Sequence, residues 1–389
     1  MKKIIALVLA LIMVFALCAC GGAPVAEAPA EDAASGDAPA AEAPAGENVV
    51  KIGVFEPLTG DSGAGGKQEY LGMQYANYLT PTVEVGGVEY TVQLVPADNA
   101  SSADRAPTAA AQLVSEGVSV VLGTYGSSAA IAAGPTFEGA QIPAIGVTCT
   151  NPQVTAGNDY YFRICFLDPF QGTVLANYAF EQLGATKAYL LGELGNEYDN
   201  GLMNYFEEAF VGLGGTVIKD NFPLNNSDFT SYLNKAQSEG ADVIFCPVSI
   251  AYSTQIVALA KDMGLTTTIL GSDTLDNNTV LEAAQGSSVD LRVSTFYADG
   301  ANPEFDAGFK EFINSTPENL TNNGGNDNIA AVSVMGYDAY YVALEAIKAA
   351  GSIAFDDVNG DAVRDTAFIK IADTANNVWT SGGSQQVAG

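Results

Sequence analysis

From Val49 onward, short apolar runs rich in β-branched residues alternate with longer stretches whose apolar positions recur every three or four residues. The first pattern predicts buried strands and the second amphipathic helices. The strands fall at Val49 to Phe55, Tyr90 to Val95, Val118 to Leu122, Ile142 to Val147 and Tyr160 to Phe166. Helices lie between them: one through Tyr70, Met73 and Ala76, one around Asp104 to Glu116, and one from Ser127 or Ser128 to Phe137. Asp168-Pro169 reads as an N-cap followed by Pro at the first helical position, and it opens a second series. That series has strands at Lys187 to Gly192, Gly215 to Phe222, Ala241 to Phe245 and Thr268 to Leu270, with helices at Asn200 to Val211, Asp228 to Ser238 and Tyr252 to Met263. Repeated strand-helix-strand units feed a parallel sheet. Two such series with a crossing near Phe166 predict an α/β protein of two doubly wound lobes, with a ligand held where the carboxyl ends of their strands face each other. Leu291 to Tyr297, Ala330 to Ala349 and Thr366 to Ile371 must return to one lobe or the other, so each lobe is discontinuous in sequence.

Charge narrows the function. Among 389 residues, 15 Lys and Arg stand against 45 Asp and Glu, a net of -30, which removes the clustered cations that phosphate backbones and anionic lipid surfaces need. Nucleic acid is therefore not an expected partner. The chain has no His, which excludes imidazole-based triads and His zinc sites.

The first residues read as an export leader. Lys2 and Lys3 precede an apolar run from Ile4 to Leu17, too short to span a hydrocarbon core of about 30 Å. It ends in Leu17-Cys18-Ala19-Cys20, which looks like a bacterial lipobox with Cys20 as the lipidated residue. A signal peptide over 1–19 and a tether over 20–48 are the expectation. The Ala, Pro, Glu, Asp and Gly of the tether bury too little apolar surface to offset ordering entropy. Cys149, Cys165 and Cys246 lack CxxC spacing and read as small buried hydrophobes, with one disulfide as the alternative; no metal site and no cofactor are expected.

Three strand ends carry candidate chemistry. The glycine cluster Gly60 to Gln68 fits neither phosphate-loop pattern, and reads as a flexible loop at a cleft edge. Gly123-Thr124-Tyr125-Gly126-Ser127-Ser128 joins a strand to a helix, so N–H groups and Ser hydroxyls could hold a carboxylate there, or Ser127 or Ser128 could simply cap the helix. Gly146-Val147-Thr148-Cys149-Thr150-Asn151 lies beyond the next strand, on the same edge. In the second series Thr268 to Leu270 runs into Gly271-Ser272-Asp273, where an acid could pair with an ammonium or sit as an ordinary turn residue. Tyr198 and Tyr252 are candidate aromatic walls.

Val54-Phe55-Glu56-Pro57-Leu58-Thr59-Gly60, Gly123 to Ser128, Asn151-Pro152, Ile269 to Asp273 and Phe355-Asp356-Asp357 with Asn359-Gly360-Asp361 together resemble the branched-chain amino-acid-binding proteins of ABC transporters, over about Lys51 to Ile371. The resemblance implies a type I periplasmic-binding-protein fold: lobe 1 from 49–166 plus about 298–350, lobe 2 from 167–297 plus about 351–375, and a tail over 376–389. It implies Ser127 and Thr150 on the ligand carboxylate, the Thr148 carbonyl and Asp273 on its ammonium, and Tyr125 and Tyr198 beside its side chain. The sequence departs from the family in three places. Gly65 or Gly66 stands where some members have an aromatic residue, which suggests a roomier pocket. Gly126 replaces a disulfide cysteine of some members. A helix is missing between Ser352 and Phe355.

The expectation is a non-enzymatic, monomeric lipoprotein on the outer face of the bacterial cytoplasmic membrane, or in the periplasm. It would bind a branched-chain or other apolar amino acid and deliver it to an ABC permease. The alternatives are a sensory module of the same fold, or a binder of a non-amino-acid carboxylate or amide.

Overall fold

Two six- and seven-stranded sheets organise the chain. The computed structural model describes residues 48–349 and 366–386. The leader with Cys20, the tether, the stretch around Ser352 and the Phe355 to Asp361 motif lie outside them.

The first sheet has the order β2-β3-β1-β4-β5-β6, from β1 (Val49–Glu56), β2 (Thr82–Val85), β3 (Val88–Asp98), β4 (Val120–Leu122), β5 (Ala144–Gly146) and β6 (Tyr161–Arg163). All its neighbours pair in parallel except β2 with β3, a hairpin turning at Gly86-Gly87, both at positive φ. The β2 strand was not expected, although the Gly-Gly turn between two alternating runs was its signal. Between these strands run α1 (Gly63–Leu79), α2 (Ala106–Glu116) and α3 (Ser127–Ala140). The glycine cluster is thus a loop only over Gly60 to Ser62, with Ser62 at the cleft, and from Gly63 to Gln68 it forms the first turns of a helix. Gly66 is required there because a Cβ would meet the Pro57 carbonyl at 2.2 Å.

The second sheet has the order β13-β12-β11-β10-β9-β7-β8, from β7 (Lys187–Glu193), β8 (Thr216–Phe222), β9 (Val243–Phe245), β10 (Thr268–Gly271), β11 (Leu291–Thr295), β12 (Thr366–Asp373) and β13 (Val378–Gln386). The last two are antiparallel, β12 to β11 and β13 to β12. Residues 378–386 are therefore an edge strand of this sheet, where the sequence suggested a tail. Their run Ser381-Gly382-Gly383-Ser384 is polar because an edge strand faces water. The helices here are α4 (Asp168–Asn177), continued by a wider π turn at Tyr178–Gln182, α5 (Glu197–Gly212), α6 (Thr230–Ser238), α7 (Ile250–Met263) and α8 (Asn278–Ala284). Asp168 is the first helical residue and Leu167 the N-cap, so Asp168 is no cap; it is buried instead.

After β11 the chain returns to the first sheet. Helices α9 (Pro303–Asn314), α10 (Pro317–Asn322) and α11 (Ala331–Lys348) follow. Phe305 and Phe309 of α9 pack with Leu71 and Tyr75 of α1, and Met335, Ala339 and Tyr340 of α11 join Ile52 and Val54 of β1. Helices α1 and α11 cross with almost no gap: a Cβ on Gly72 would stand 1.8 Å from the Ser333 carbonyl, and one on Gly336 would stand 2.1 Å from that of Glu69. Ser333 Oγ donates to the Gln68 carbonyl at 2.7 Å, across 265 residues of sequence.

The second sheet keeps one buried cation. Lys370 Nζ lies 3.1 Å from Asp276 and 3.3 Å from Asp299, and Asp276 also accepts from Thr295 Oγ1. Cys149, Cys165 and Cys246 are buried and free, so no disulfide forms among them.

Candidate functional site

The cleft is built from the carboxyl ends of strands in both sheets. On one side β4 ends and the chain turns through Gly123 to Gly126 into α3. Gly126, at φ 114°, is the N-cap, and neither Ser127 nor Ser128 caps the helix through its side chain. Their hydroxyls are used across loops instead. Ser127 Oγ accepts from Asn151 N at 3.1 Å, and Ser128 Oγ accepts from Glu197 N, in the opposite lobe, at 3.2 Å. On the other side β10 delivers Asp273, β7 delivers Asn196 to Asp199 at the start of α5, and β9 delivers Ser249 ahead of α7.

The two walls are closed on one another. Tyr125 Oη donates to the Thr274 carbonyl at 3.3 Å, Asn151 Nδ2 to the Glu197 carbonyl at 3.0 Å, Asn277 Nδ2 to Gln68 Oε1 at 2.6 Å, and Ala251 N to the Asp61 carbonyl at 3.1 Å. The Tyr125 ring reaches the apolar core of the second lobe. It does so through the space left by Gly65, where a Cβ would stand 2.6 Å from the ring. The space expected from that glycine is therefore filled by Tyr125.

Between the walls lies a cleft of about 570 Å³, counted to its open mouth. Of the expected residues, Tyr125, Ser127, Ser128, Thr148, Tyr198 and Asp273 line it. Thr150 does not. It is buried behind the wall, with its carbonyl accepting from Asp168 N at 3.0 Å and its hydroxyl unpaired. Tyr252 is not a wall either. Its ring packs on Phe222 and Phe229, and its hydroxyl donates to Glu193 Oε1 at 3.2 Å.

Asp273 is 3% exposed and its Oδ1 accepts from Tyr198 Oη and from Gln171 Nε2, each at 2.6 Å. Gln171 Nε2 is also 2.8 Å from Ser294 Oγ, which fixes its amide. Burial pushes the Asp273 carboxyl up to about 6, against the two hydrogen bonds that favour its anion.

Sequence reasoning missed a pair of carboxyls behind the first wall. Glu56, the last residue of β1, accepts from Tyr125 N at 2.8 Å, and Glu69 of α1 accepts from Thr148 Oγ1 at 2.5 Å. Their other oxygens are buried, and the two carboxyls share a hydrogen bond. Burial pushes Glu69 up to about 7, and burial together with the Glu69 charge pushes Glu56 well above the usual range. The signal for Glu69 was its spacing, since Glu69, Met73 and Ala76 share one helix face with the apolar pattern. The Arg163 guanidinium is buried nearby, donating to the Cys149 carbonyl at 2.9 Å and to Thr155 Oγ1 at 3.0 Å.

Two facing α/β lobes with a closed polar cleft at their strand ends define a bilobal solute-binding protein of the type I fold, in which a ligand sits between lobes. The periplasmic binding protein family model matches residues 49–373, and the chain belongs to that family. A leucine-binding protein of Thermotoga maritima is similar in structure, with a TM-score of 0.76 at 30% identity, covering 87% of this chain and 99% of that one. A solute-binding protein of an ABC transporter of R. palustris, in complex with 4-hydroxybenzoate, has a TM-score of 0.74 at 18% identity, covering 87% of this chain and 98% of the other. In sequence, the Leu/Ile/Val-binding protein homolog 3 of Brucella melitensis is 28% identical over 231 residues, 59% of this chain and 62% of the relative, so the match spans less than two thirds of that protein. Two of these three relatives are thus described as leucine- or Leu/Ile/Val-binding proteins, and the third as a solute-binding protein. No helix among the described residues is long and apolar enough to cross a membrane.

Proposed function

We propose that this protein captures an amino acid between its lobes and delivers it, unaltered, to an ABC permease. Tethering by a lipid on Cys20 would keep it at the outer face of the membrane, acting as a monomer. Asp273 carries the reading. It is a buried carboxylate on lobe 2, hydrogen-bonded on one oxygen, opposite the α3 N-terminus and Ser127 on lobe 1. An α-ammonium fits the carboxylate, and an α-carboxylate fits the N–H groups and hydroxyl at a helix N-terminus. Thr148, Tyr125 and Ser128 would complete the first wall, with Tyr198 on the second. A ligand that bridges both lobes binds the closed state better than the open one, and shifts the population by that difference.

The benzoate-bound neighbour suggests a second reading, a carboxylate without an amine. The uncompensated acids of this cleft weigh against it. Titration calorimetry with L-amino acids and their deaminated acids separates the two. Binding of an amino acid but not its deaminated partner supports the proposal; binding of the deaminated acid alone overturns it.

A further inference from the structure

We infer that the cleft takes an amino acid whose side chain ends in a hydrogen-bond donor, an ammonium, amide or hydroxyl, and not an aliphatic one. The inference rests on the amino-acid reading above and narrows its substrate class.

The first observation is what lines the cleft. No Leu, Ile, Val, Met, Phe or Trp side chain does; its carbon surface comes from the two tyrosine rings, Ala129, Gly126 and the short side chains of Ser and Thr residues. The rest is hydroxyl, amide and carboxyl. An aliphatic side chain here would strip water from hydroxyls that it cannot repay with hydrogen bonds.

The second observation is a pair of buried, unpartnered polar atoms on lining residues from different elements. Asp199, in the first turn of α5, accepts from Glu193 N at 2.8 Å through Oδ2, while Oδ1 has no partner. Ser249 precedes α7 but makes no capping bond, and its Oγ is likewise buried and alone. The nearby Asn196 is already committed, its Oδ1 accepting from Tyr198 N and Asp199 N and its Nδ2 donating to Glu193 Oε2. Asp199 and Ser249 are thus the acceptors left for a ligand. Buried groups of this kind normally have partners.

The third observation is charge. Asp199 and Asp273 both line the cleft, and no Lys or Arg does. Burial, with Glu193 and Asp168 as like-charged neighbours, holds the Asp199 carboxyl well above its usual range. A donor placed between Asp199 and Ser249 relieves both groups.

The test is calorimetry of the full chain with leucine, isoleucine and valine, with serine, threonine, asparagine and glutamine, with ornithine and lysine, and with glutamate. The Asp199→Asn and Ser249→Val variants are measured in parallel, their folding checked by thermal melts. At least one donor-bearing amino acid should bind about tenfold or more tightly than leucine, a modest figure for a site built around hydrogen bonds. Asp199→Asn should lower that ratio, and Ser249→Val should move it toward valine and leucine. If the aliphatic amino acids bind as tightly as any donor-bearing one, or if both variants leave the ratio unchanged, the inference is overturned while the amino-acid reading stands. If no amino acid binds, the reading itself fails.

Discussion

The rings of Phe166 and Phe296 stack with centroids 4.3 Å apart and planes at 30°, and each sits where the chain passes between the two sheets. Phe166 follows β6 and belongs to the core of the second lobe, while Phe296 follows β11 and touches the cores of both lobes. The two crossings are thereby tied into one pivot. Phe296→Ala should lower stability by about 2 kcal/mol, below the range for a fully buried Phe because this ring is half-buried. It should also weaken ligand binding, although neither ring lines the cleft. Chemical denaturation and calorimetry on one variant read both effects; unchanged affinity would disconnect the stack from closure.

Asp273 gives the binding reaction a pH dependence with a definite sign. Its carboxyl titrates at about 6 in the empty cleft, between the Tyr198 and Gln171 donors and near the Asp276 carboxyl, and Glu69 lies close enough to feel its charge. An ammonium pairs with the anion, so below that pH a proton must first be expelled, at up to about tenfold in affinity per pH unit. Affinity for an amino acid should rise from pH 5 to 7 and then flatten as the ionisation of Asp273 is completed. Calorimetry in buffers of different ionisation heat should detect proton release. Asp273→Asn should abolish the slope and lower affinity by about 1.5 to 3 kcal/mol.

The empty protein should respond to pH in the opposite direction. Asp273 at about 6, Glu69 at about 7 and Asp168 at about 8 all sit above the values of about 4 expected in an unfolded chain. Between those limits the folded state binds more protons than the unfolded one, so stability falls as pH rises from about 4 to 8. Melting temperatures across that range check it. Asp168→Asn should flatten the upper part of the decline, and a rising curve would contradict the assignment.

Gly65→Ala should disturb closure. Its Cβ would stand 2.6 Å from a ring whose hydroxyl is bonded across the cleft to Thr274. Overpacking of this kind costs about 1 to 3 kcal/mol. Ligand affinity should drop about tenfold or more, and Tyr125→Leu in the same chain should recover part of it by vacating the space. Wild-type affinity in the single variant would mean that the ring yields freely.

Lys370→Met should be the most damaging of these changes, at about 3 to 5 kcal/mol, because it strands the buried Asp276 carboxylate. The double variant Lys370→Met with Asp276→Leu should recover most of the loss. Urea midpoints of the two variants decide the matter.

Most of the doubly wound plan was legible because buried parallel strands such as Val118 to Leu122 read as continuous apolar runs between amphipathic helices. The edges were not. The strands at Thr82 and Val378 are short or polar, since an edge buries only part of itself. The site was legible at strand ends, where Ser127 and Asp273 follow apolar runs, and illegible where partners come from afar. Glu56 meets Tyr125 across 69 residues and Gln171 meets Asp273 across 102, and no local pattern announces such meetings. Gly65 was seen as a gap, but the ring that fills it arrives from another element.

The glycine crossing of α1 and α11 ties the site to the order in which the chain is made. Helix α1 carries Gly65 and Glu69, yet its face at Gln68 and Gly72 is covered by residues that emerge some 265 positions later. A chain synthesised from its N-terminus therefore holds the first wall of its cleft unfinished until nearly all of it has emerged. During that interval the apolar side of α1 is open to proteases and to other chains. A fragment ending at Phe166 would contain every strand of the first sheet and still lack the helix that seats its ligand-facing wall.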